Sequence, residues 1–133
     1  MTSGANAAQA AAHKQAGAAA QPKQMTPAEV VAGWKAGRKI LPIDIRTPAE
    51  YRAAHPQDAI NVPLRIFRVR FKELQVPKQT EVLIIALESG AAARALRELA
   101  QMGYAKTAWV SSDEWKKSGF RVERSEPPPR TKR

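Results

Sequence analysis

The stretch EVLIIALESGAAARALRELA, residues 81–100, decides the fold because it joins a buried strand directly to a helix. Residues 81–87 form a nearly continuous apolar run, which is typical of a strand buried on both faces. The polar turn Glu88-Ser89-Gly90 follows, and the alanine-rich pattern after it predicts a helix over 91–102 that ends at Gly103. A strand that enters a helix through a tight loop is where α/β proteins commonly bind anions or hold a nucleophile.

The same alternation of strands and helices extends in both directions from this stretch. Thr26 to Glu29 and Thr47 to Glu50 each carry a capping Thr, then Pro, then Glu, which predicts two helix starts. Ser111 to Glu114 predicts a third. Further strands are predicted at 39–45, where Pro42 indicates strain or an edge, and at 59–63 and 107–110. This order predicts an α/β fold with a parallel sheet covered by helices, whose ligand crevice lies beyond the strand carboxyl ends.

Residues 64–75 fit two interpretations. Phe67, Val69 and Phe71 alternate with basic residues, as they would in a strand. Leu64, Phe67, Phe71 and Leu74 also fall on one face of a helix, so the sequence leaves both structures open.

Composition limits the possible chemistry. The chain has 133 residues, which predicts one domain, and no cysteine, which excludes disulfides and every thiol mechanism. No apolar run approaches the roughly 18 residues of a membrane helix. The start of the chain lacks the features of a secretory signal, so we expect a cytoplasmic protein. No cluster of His, Asp or Glu has metal-ligand spacing, and neither a metal nor a cofactor is predicted.

The net charge of +10 is unevenly distributed. Residues 65–78 carry +4, and residues 121–133 carry +3. Residues 1–24 are rich in Ala and Gln, and residues 125–133 are rich in Pro, so both are predicted to be flexible tails around a domain at 25–124. A basic segment on a nearly neutral body indicates an anionic partner surface.

The stretch LPIDIRTPAEYRAAHPQDAINVPL, residues 41–64, resembles the first signature of the rhodanese-like domain. Residues 81–110 are similar to the active-site strand, loop and helix of that family, and residues 114–123 to its closing Trp-containing segment. The resemblance implies a five-stranded parallel sheet flanked by helices on both faces. The residues that match the first signature are Asp44, Arg46, Glu50 and His55, and we expect them to be structural. Arg46 is predicted to pair with Glu50 or with a carbonyl group and so to fix the corner between strand and helix.

The sequence departs from the family where the resemblance places the chemistry. Active members carry a nucleophilic Cys two residues before the Ser-Gly of the loop, a basic residue after it and an Arg near the end of the loop. The corresponding residues here are Leu87, Glu88 and Ala92. Leucine cannot form a thiolate, and Glu88 would repel an anionic sulfur donor. The loop of Leu87, Glu88, Ser89, Gly90, Ala91 and Ala92 is therefore predicted to be degenerate, with Leu87 as an apolar plug at the bottom of the pocket. The Gly-Gly pair that usually precedes the closing Trp is also replaced, by Ser111-Ser112.

Three functions remain open. Ser89 is the only hydroxyl of the loop, and a catalytic serine would need a base that the two histidines, His13 and His55, are poorly placed to supply. We favour a non-enzymatic interaction or assembly module that docks an acidic protein, or a larger complex, through residues 65–72 and the tails. The candidate docking residues are Arg65, Arg68, Arg70 and Lys72, although a solvated face over buried Phe67 and Phe71 is the simpler alternative. The other functions are a sulfur-donor pocket that works with a partner's thiol, and a polyanion or RNA binder. The absence of RRM, KH, OB and zinc-finger signatures argues against nucleic acid.

Overall fold

A computed structural model describes residues 22–125 of the chain. Residues 1–21 and 126–133 lie outside the described residues. Almost all of the two tails predicted at 1–24 and 125–133 therefore lies outside the structure, and both tails stay predictions. The family resemblance is confirmed below for the part of the chain between them.

Strands and helices alternate along the described residues. The strands are β1 (Ile40–Asp44), β2 (His55–Pro56), β3 (Ile60–Asn61), β4 (Glu81–Ala86), β5 (Thr107–Ser111) and β6 (Val122–Glu123). The helices are α1 (Pro27–Lys35), α2 (Pro48–Ala53), α3 (Phe67–Glu73, preceded by a 3-10 turn at Leu64–Ile66), α4 (Ser89–Gln101) and α5 (Ser112–Ser118). No helix within residues 22–125 has the length and apolar character that a membrane crossing requires.

The main sheet is parallel, with the strand order β3-β1-β4-β5. Next to β5, Gln24 forms a one-residue parallel bridge with Trp109. Two hydrogen bonds hold this bridge: the Met25 amide donates to the Trp109 carbonyl at 2.8 Å, and the Trp109 amide donates to the Lys23 carbonyl at 2.9 Å. The parallel α/β fold is confirmed, with four strands and this bridge where five strands were expected. The short strands β2 and β6 pair antiparallel beside the main sheet.

Strand β4 is buried on both faces, as its apolar run predicts. Val82 and Ile84 belong to a core beneath α3 and α4, together with Phe67 and Phe71. The core on the opposite face contains residues of α1, β5 and α5, with Tyr51 of α2 packed against it; its β4 members are Leu83 and Ile85. The alternation of side chains along a strand sends successive residues of β4 into the two cores.

The predicted capping boxes are both present. The Thr26 hydroxyl accepts from the Glu29 amide, and Glu29 accepts from the Thr26 amide at 2.9 Å. Thr47 and Glu50 make the same reciprocal pair at the start of α2. Such a cap contributes about 1 kcal/mol to helix stability because it satisfies amides that have no partner within the helix.

Pro42 lies on β1 at a place where the strand is locally an edge. The Asp44 carbonyl accepts from Val62 on the β3 side, whereas Ile45 donates to Ile85 on the β4 side. By alternation, the position of Pro42 faces the β3 side, and β3 pairs only with Ile43 and Asp44. The missing amide proton of Pro42 therefore removes no hydrogen bond from the sheet.

Of residues 64–75, residues 64–73 are helical and the last two form a turn, so the strand interpretation is wrong. Phe67 and Phe71 are buried on one helical face and stack with ring centroids 5.3 Å apart. Val69, which would share their face in a strand, is 66% exposed. The helix is favoured because it buries both rings against α4 and the sheet while the basic residues stay in solvent.

This assignment predicts very different effects for two neighbouring substitutions. Phe71→Ala should lower the free energy of unfolding by about 3–5 kcal/mol because it leaves a cavity in the core. Val69→Ala should change it by less than about 0.5 kcal/mol. Urea unfolding followed by tryptophan fluorescence measures both values. Similar losses for the two variants would contradict the helical arrangement of this segment.

Candidate functional site

The candidate site lies at the carboxyl edge of the parallel sheet, where β1, β3 and β4 end side by side. β4 ends at Ala86 and α4 begins at Ser89, so only Leu87 and Glu88 form the connecting turn. Of the six positions predicted as a loop, the last four lie in the first turn of the helix. The structure thus brings the predicted degenerate loop to the edge where a ligand of such a sheet would bind.

Leu87 does not plug a pocket. Its side chain is 46% exposed, because the two-residue turn places it at the rim of the sheet and not beneath the helix. The expectation of an apolar plug at this position is therefore wrong. Ala92, at the position where the family resemblance implies an arginine, is fully buried and packs into the core beneath α4.

The carboxylate of Glu88 caps the amino terminus of α4. Its Oε1 accepts a hydrogen bond from the Gly90 amide at 2.9 Å. A Cβ atom at Gly90 would lie 2.9 Å from the same oxygen, so a larger residue there would require the carboxylate to shift. A negative charge is favoured at this end of a helix by the helix dipole and the free amides. Glu88 thus supplies from the chain itself the anion that a helix start of this kind attracts.

Within residues 22–125, His55 is the one histidine that could serve Ser89 as a base, and its contacts are made elsewhere. The described histidine, His55, is buried, and its Nδ1 lies 2.7 Å from the Tyr51 carbonyl, while its ring stacks on the Tyr51 ring with centroids 3.7 Å apart. The Tyr51 hydroxyl donates to the Ala59 carbonyl, and burial raises its pKa, with a further contribution from the charge of Asp44. These contacts hold α2 against the turn that precedes β3. His55 therefore packs and hydrogen-bonds with Tyr51 inside the fold.

Asp44 and Arg46 form a buried ion pair at the end of β1. Asp44 is fully buried, and the Arg46 side chain is 8% exposed. The guanidinium donates to both carboxylate oxygens of Asp44, at 2.7 Å from Nη2, and to the carbonyl of Ala54 at 2.6 Å. Two partners were predicted for Arg46. The carbonyl is correct, and Glu50 is wrong, because the Glu50 carboxylate accepts a hydrogen bond from the Thr47 amide instead. This bidentate contact closes the corner between β1 and the end of α2.

Asn61 completes the corner, and its role was not singled out from the sequence. Its side-chain amide donates to the carbonyls of Asp44 at 2.9 Å and of Arg46 at 3.1 Å. The Leu64 amide donates to the Ile45 carbonyl at 3.0 Å. The turns after β1 and β3 are therefore tied together by hydrogen bonds. In the sequence, Asn61 could be noticed only as part of the run Ala59-Ile60-Asn61-Val62-Pro63, and that run does not indicate which carbonyls its side chain binds.

The four candidate docking residues have different surroundings. Arg68 bridges to α4, with Nε 2.7 Å from Glu98 and Nη2 2.5 Å from the Gln101 side chain. Arg70 pairs with Glu73 at 3.2 Å on the exposed side of α3. Arg65 and Lys72 form no ion pair within 4.0 Å among the residues that the structure describes. Arg94, which the sequence did not indicate as a site residue, lies on α4 beside Arg65.

These features define an α/β domain with a fixed corner after its first sheet strand and a capped strand-to-helix turn at the carboxyl edge. The chain belongs to the rhodanese-like domain family, whose model matches residues 26–117. It is 33% identical to a sulfurtransferase from Allochromatium vinosum over 67 residues, and these residues make up 50% of this chain. The aligned part spans 61% of that relative's length.

Solved structures support the same fold. The thiosulfate sulfurtransferase of Pseudomonas aeruginosa superposes with a TM-score of 0.69 at 24% identity, over 77% of this chain and 20% of that one. A rhodanese-related protein from Thermoplasma volcanium superposes with a TM-score of 0.62 at 20% identity, over 76% of this chain and 97% of that one. At these identities the likeness establishes the fold alone.

The corner predicts a large effect for Arg46 and a small one for an exposed arginine. Arg46→Ala should lower the free energy of unfolding by about 3–5 kcal/mol, because it leaves the buried Asp44 carboxylate without its partner. Arg97→Ala, on the exposed side of α4, should stay within about 0.5 kcal/mol of the parent. Denaturant unfolding of both variants provides the measurement. Equal values would mean that the ion pair does not hold the corner.

The capped helix start predicts how a thiol would behave at position 87. We expect the thiol of Leu87→Cys to react slowly, since the neighbouring Glu88 carboxylate disfavours the reactive thiolate form. Adding Glu88→Gln should lower the thiol pKa by about half a unit to one unit, because it removes that charge. The pH dependence of iodoacetamide alkylation gives the thiol pKa in both variants. The native chain has no cysteine, so the introduced thiol is the only one that reacts. Equal pKa values in the two variants would show that Glu88 does not act on this position.

Proposed function

We propose that this chain is a non-catalytic rhodanese-like module that docks an acidic protein surface, alone or within a larger complex, through residues 65–72. The terminal segments 1–24 and 125–133 are proposed to add contacts to the same partner. No cofactor enters this function. The proposal has two parts, loss of sulfur chemistry and gain of a docking surface, and different observations support them.

The loss of chemistry is supported by the residues at the carboxyl edge. Leu87 replaces the nucleophile that the family resemblance implies, and the chain has no cysteine elsewhere that could take its place. The Glu88 carboxylate already satisfies the Gly90 amide at the start of α4. A thiosulfate or persulfide anion would meet a negative charge there and would have to displace it.

The docking surface is supported by one observation above the others: exposed apolar side chains lie within a basic rim. Val69 is 66% exposed and Ile66 is 37% exposed, three residues apart and therefore neighbours on the helix surface. Arg65, Arg70 and Lys72 are also exposed and lie within three residues of Ile66 or Val69 along the chain. An apolar centre with a polar, arginine-rich rim is the usual anatomy of a protein interface. Its positive sign favours an acidic partner.

The individual contacts decide which basic residues are free to bind. Arg68 connects α3 to α4 through Glu98 and Gln101, so its replacement would disturb the packing of the helix. The Arg70–Glu73 pair is exposed, and such pairs contribute little, so Arg70 can exchange Glu73 for a partner's carboxylate. Arg65, Arg70 and Lys72 are therefore the residues through which the proposal is tested.

A second function is favoured by the Allochromatium vinosum relative, which is described as a sulfurtransferase. In this alternative the chain binds a sulfur donor and a partner protein supplies the thiol. The carboxylate of Glu88 at the helix start opposes it, whereas a partner's cation could offset that charge. The two functions differ in whether sulfur transfer occurs when the partner is present.

Charge reversal tests the docking surface. The triple variant Arg65→Glu, Arg70→Glu, Lys72→Glu should keep the circular dichroism spectrum and lose the partner that the parent chain captures from a lysate of its own organism, because three rim contacts become repulsive. The control reverses exposed charges elsewhere: Lys39→Glu, Arg97→Glu and Lys106→Glu. Mass spectrometry and titration of the recovered partner compare the three proteins. Partner capture that survives the first variant, or fails equally in the control, would contradict docking through this surface.

The same preparations separate the alternatives. A thiosulfate:cyanide assay of the chain, alone and with its recovered partner, should show no turnover above that of the partner. Turnover that requires this chain would instead support the donor pocket. Capture of RNA in place of a protein, with an affinity that falls steeply as salt rises, would identify a polyanion binder.

A further inference from the structure

A groove opens beside the docking surface, between the turn after β1 and the turn after β3. Its volume is about 330 Å³, within the range of sites that hold a small ligand or a few peptide side chains. The apolar walls come from both turns, and two arginines stand at its side. The residues that matter here are Ile45, Pro48, Pro63, Leu64, Arg65 and Arg94.

The walls of the groove are fixed before any ligand arrives. Pro48 and Pro63 restrict the backbone of the two turns, and the Leu64 amide joins them by its bond to the Ile45 carbonyl at 3.0 Å. The capping box of Thr47 and the two hydrogen bonds donated by the Asn61 side-chain amide hold the same turns. A ligand would therefore bind without ordering these segments, which lowers the free-energy cost of binding.

The groove is positively charged. Arg65 and Arg94 both line it, and no Asp or Glu of residues 22–125 does. Neither arginine forms an ion pair within 4.0 Å among residues 22–125. A ligand that fits must bring an apolar group for the walls and negative charge for the guanidinium groups, because arginine binds carboxylates through its planar fork.

The groove does not end at Arg94. A second depression of about 220 Å³ shares Leu64, Arg65, Ile66 and Arg94 with it and continues to Val69 and to the Arg68–Glu98 pair. The two together follow the docking surface along α3. An extended chain can occupy both, whereas a small carboxylic acid would fill only one.

We propose that this groove binds an extended acidic peptide segment that inserts one apolar side chain between Pro48 and Leu64 and pairs its flanking carboxylates with Arg65 and Arg94. This inference rests on the proposed function, because it names the part of the acidic partner that is bound. The peptide lies along the carboxyl edge of the sheet, and Glu88 takes no part in holding it.

The binding test uses a library of nine-residue peptides with one apolar residue of each kind at the centre and Asp or Glu at both flanks. Fluorescence anisotropy should detect binding that weakens at least about tenfold when the central residue is changed to Ala, since the shorter side chain buries less apolar area against the groove walls. Peptide binding should also be lost when the flanking Asp or Glu residues are changed to Lys. Absence of binding across the acidic library would overturn the proposal, as would binding that ignores the central residue.

Two substitutions on one helix give the matched control. Arg94→Glu should abolish peptide binding, whereas Arg97→Glu, which makes the same charge change outside the groove, should leave the Kd unchanged. Circular dichroism confirms that both variants are folded. Equal effects of the two variants would overturn the groove as the site.

The outcome for the groove can be distinguished from the outcome for the docking surface. If the triple variant at Arg65, Arg70 and Lys72 loses the partner while Arg94→Glu retains it fully, docking along α3 stands and the groove proposal fails. If Arg94→Glu loses both partner and peptide while Arg97→Glu loses neither, both proposals stand. If partner capture survives the triple variant while Arg94→Glu abolishes peptide binding, the groove stands and docking along α3 fails.

Discussion

The burial of β4 on both faces is the constraint on which the other elements depend. Val82 and Ile84 require cover on one side of the sheet, and Leu83 and Ile85 require it on the other. Because β1 and β5 pair with β4 on its two edges, its backbone groups are also satisfied within the sheet. Helices must therefore pack on both faces, and the carboxyl end of β4 emerges between the two layers. This position brings Leu87 and Glu88 to the edge of the sheet where a site would form.

The buried pair of Asp44 and Arg46 gives that edge its shape. A buried ion pair adds little net stability, since desolvation of both charges offsets their attraction, but loss of one partner is strongly unfavourable. Arg46 also donates to the Ala54 carbonyl, so the pair connects the end of β1 to the end of α2. Asn61 then fixes the turn after β1 against β3. The same hydrogen bonds hold the turns that form the walls of the groove.

The distribution of charge connects the altered loop with the docking surface. At the start of α4 the chain provides a carboxylate where a catalytic relative would need to receive an anion, so this end of the helix is satisfied internally. Positive charge lies instead on α3 and at Arg94, outside the turn that follows β4. The Glu88 carboxylate disfavours an anion at the start of α4, whereas Arg65 and Arg94 favour one beside it. The proposed function rests on this separation of the capped helix start from Arg65 and Arg94, which form no ion pair within residues 22–125.

The sequence by itself determined the α/β class, the helix caps at Thr26, Thr47 and Ser111 and the absence of a thiol at position 87, since periodicity, capping residues and residue type are local properties. Only the tertiary structure decided that residues 64–73 are helical, because the burial of Phe67 and Phe71 fits either period until the neighbouring α4 is in place. It also decided that Arg46 pairs with Asp44 and Ala54 and not with Glu50, and that Leu87 is half exposed. The groove could not be predicted for the same reason: its residues come from three separate stretches, and their proximity is set by long-range packing that no local pattern encodes.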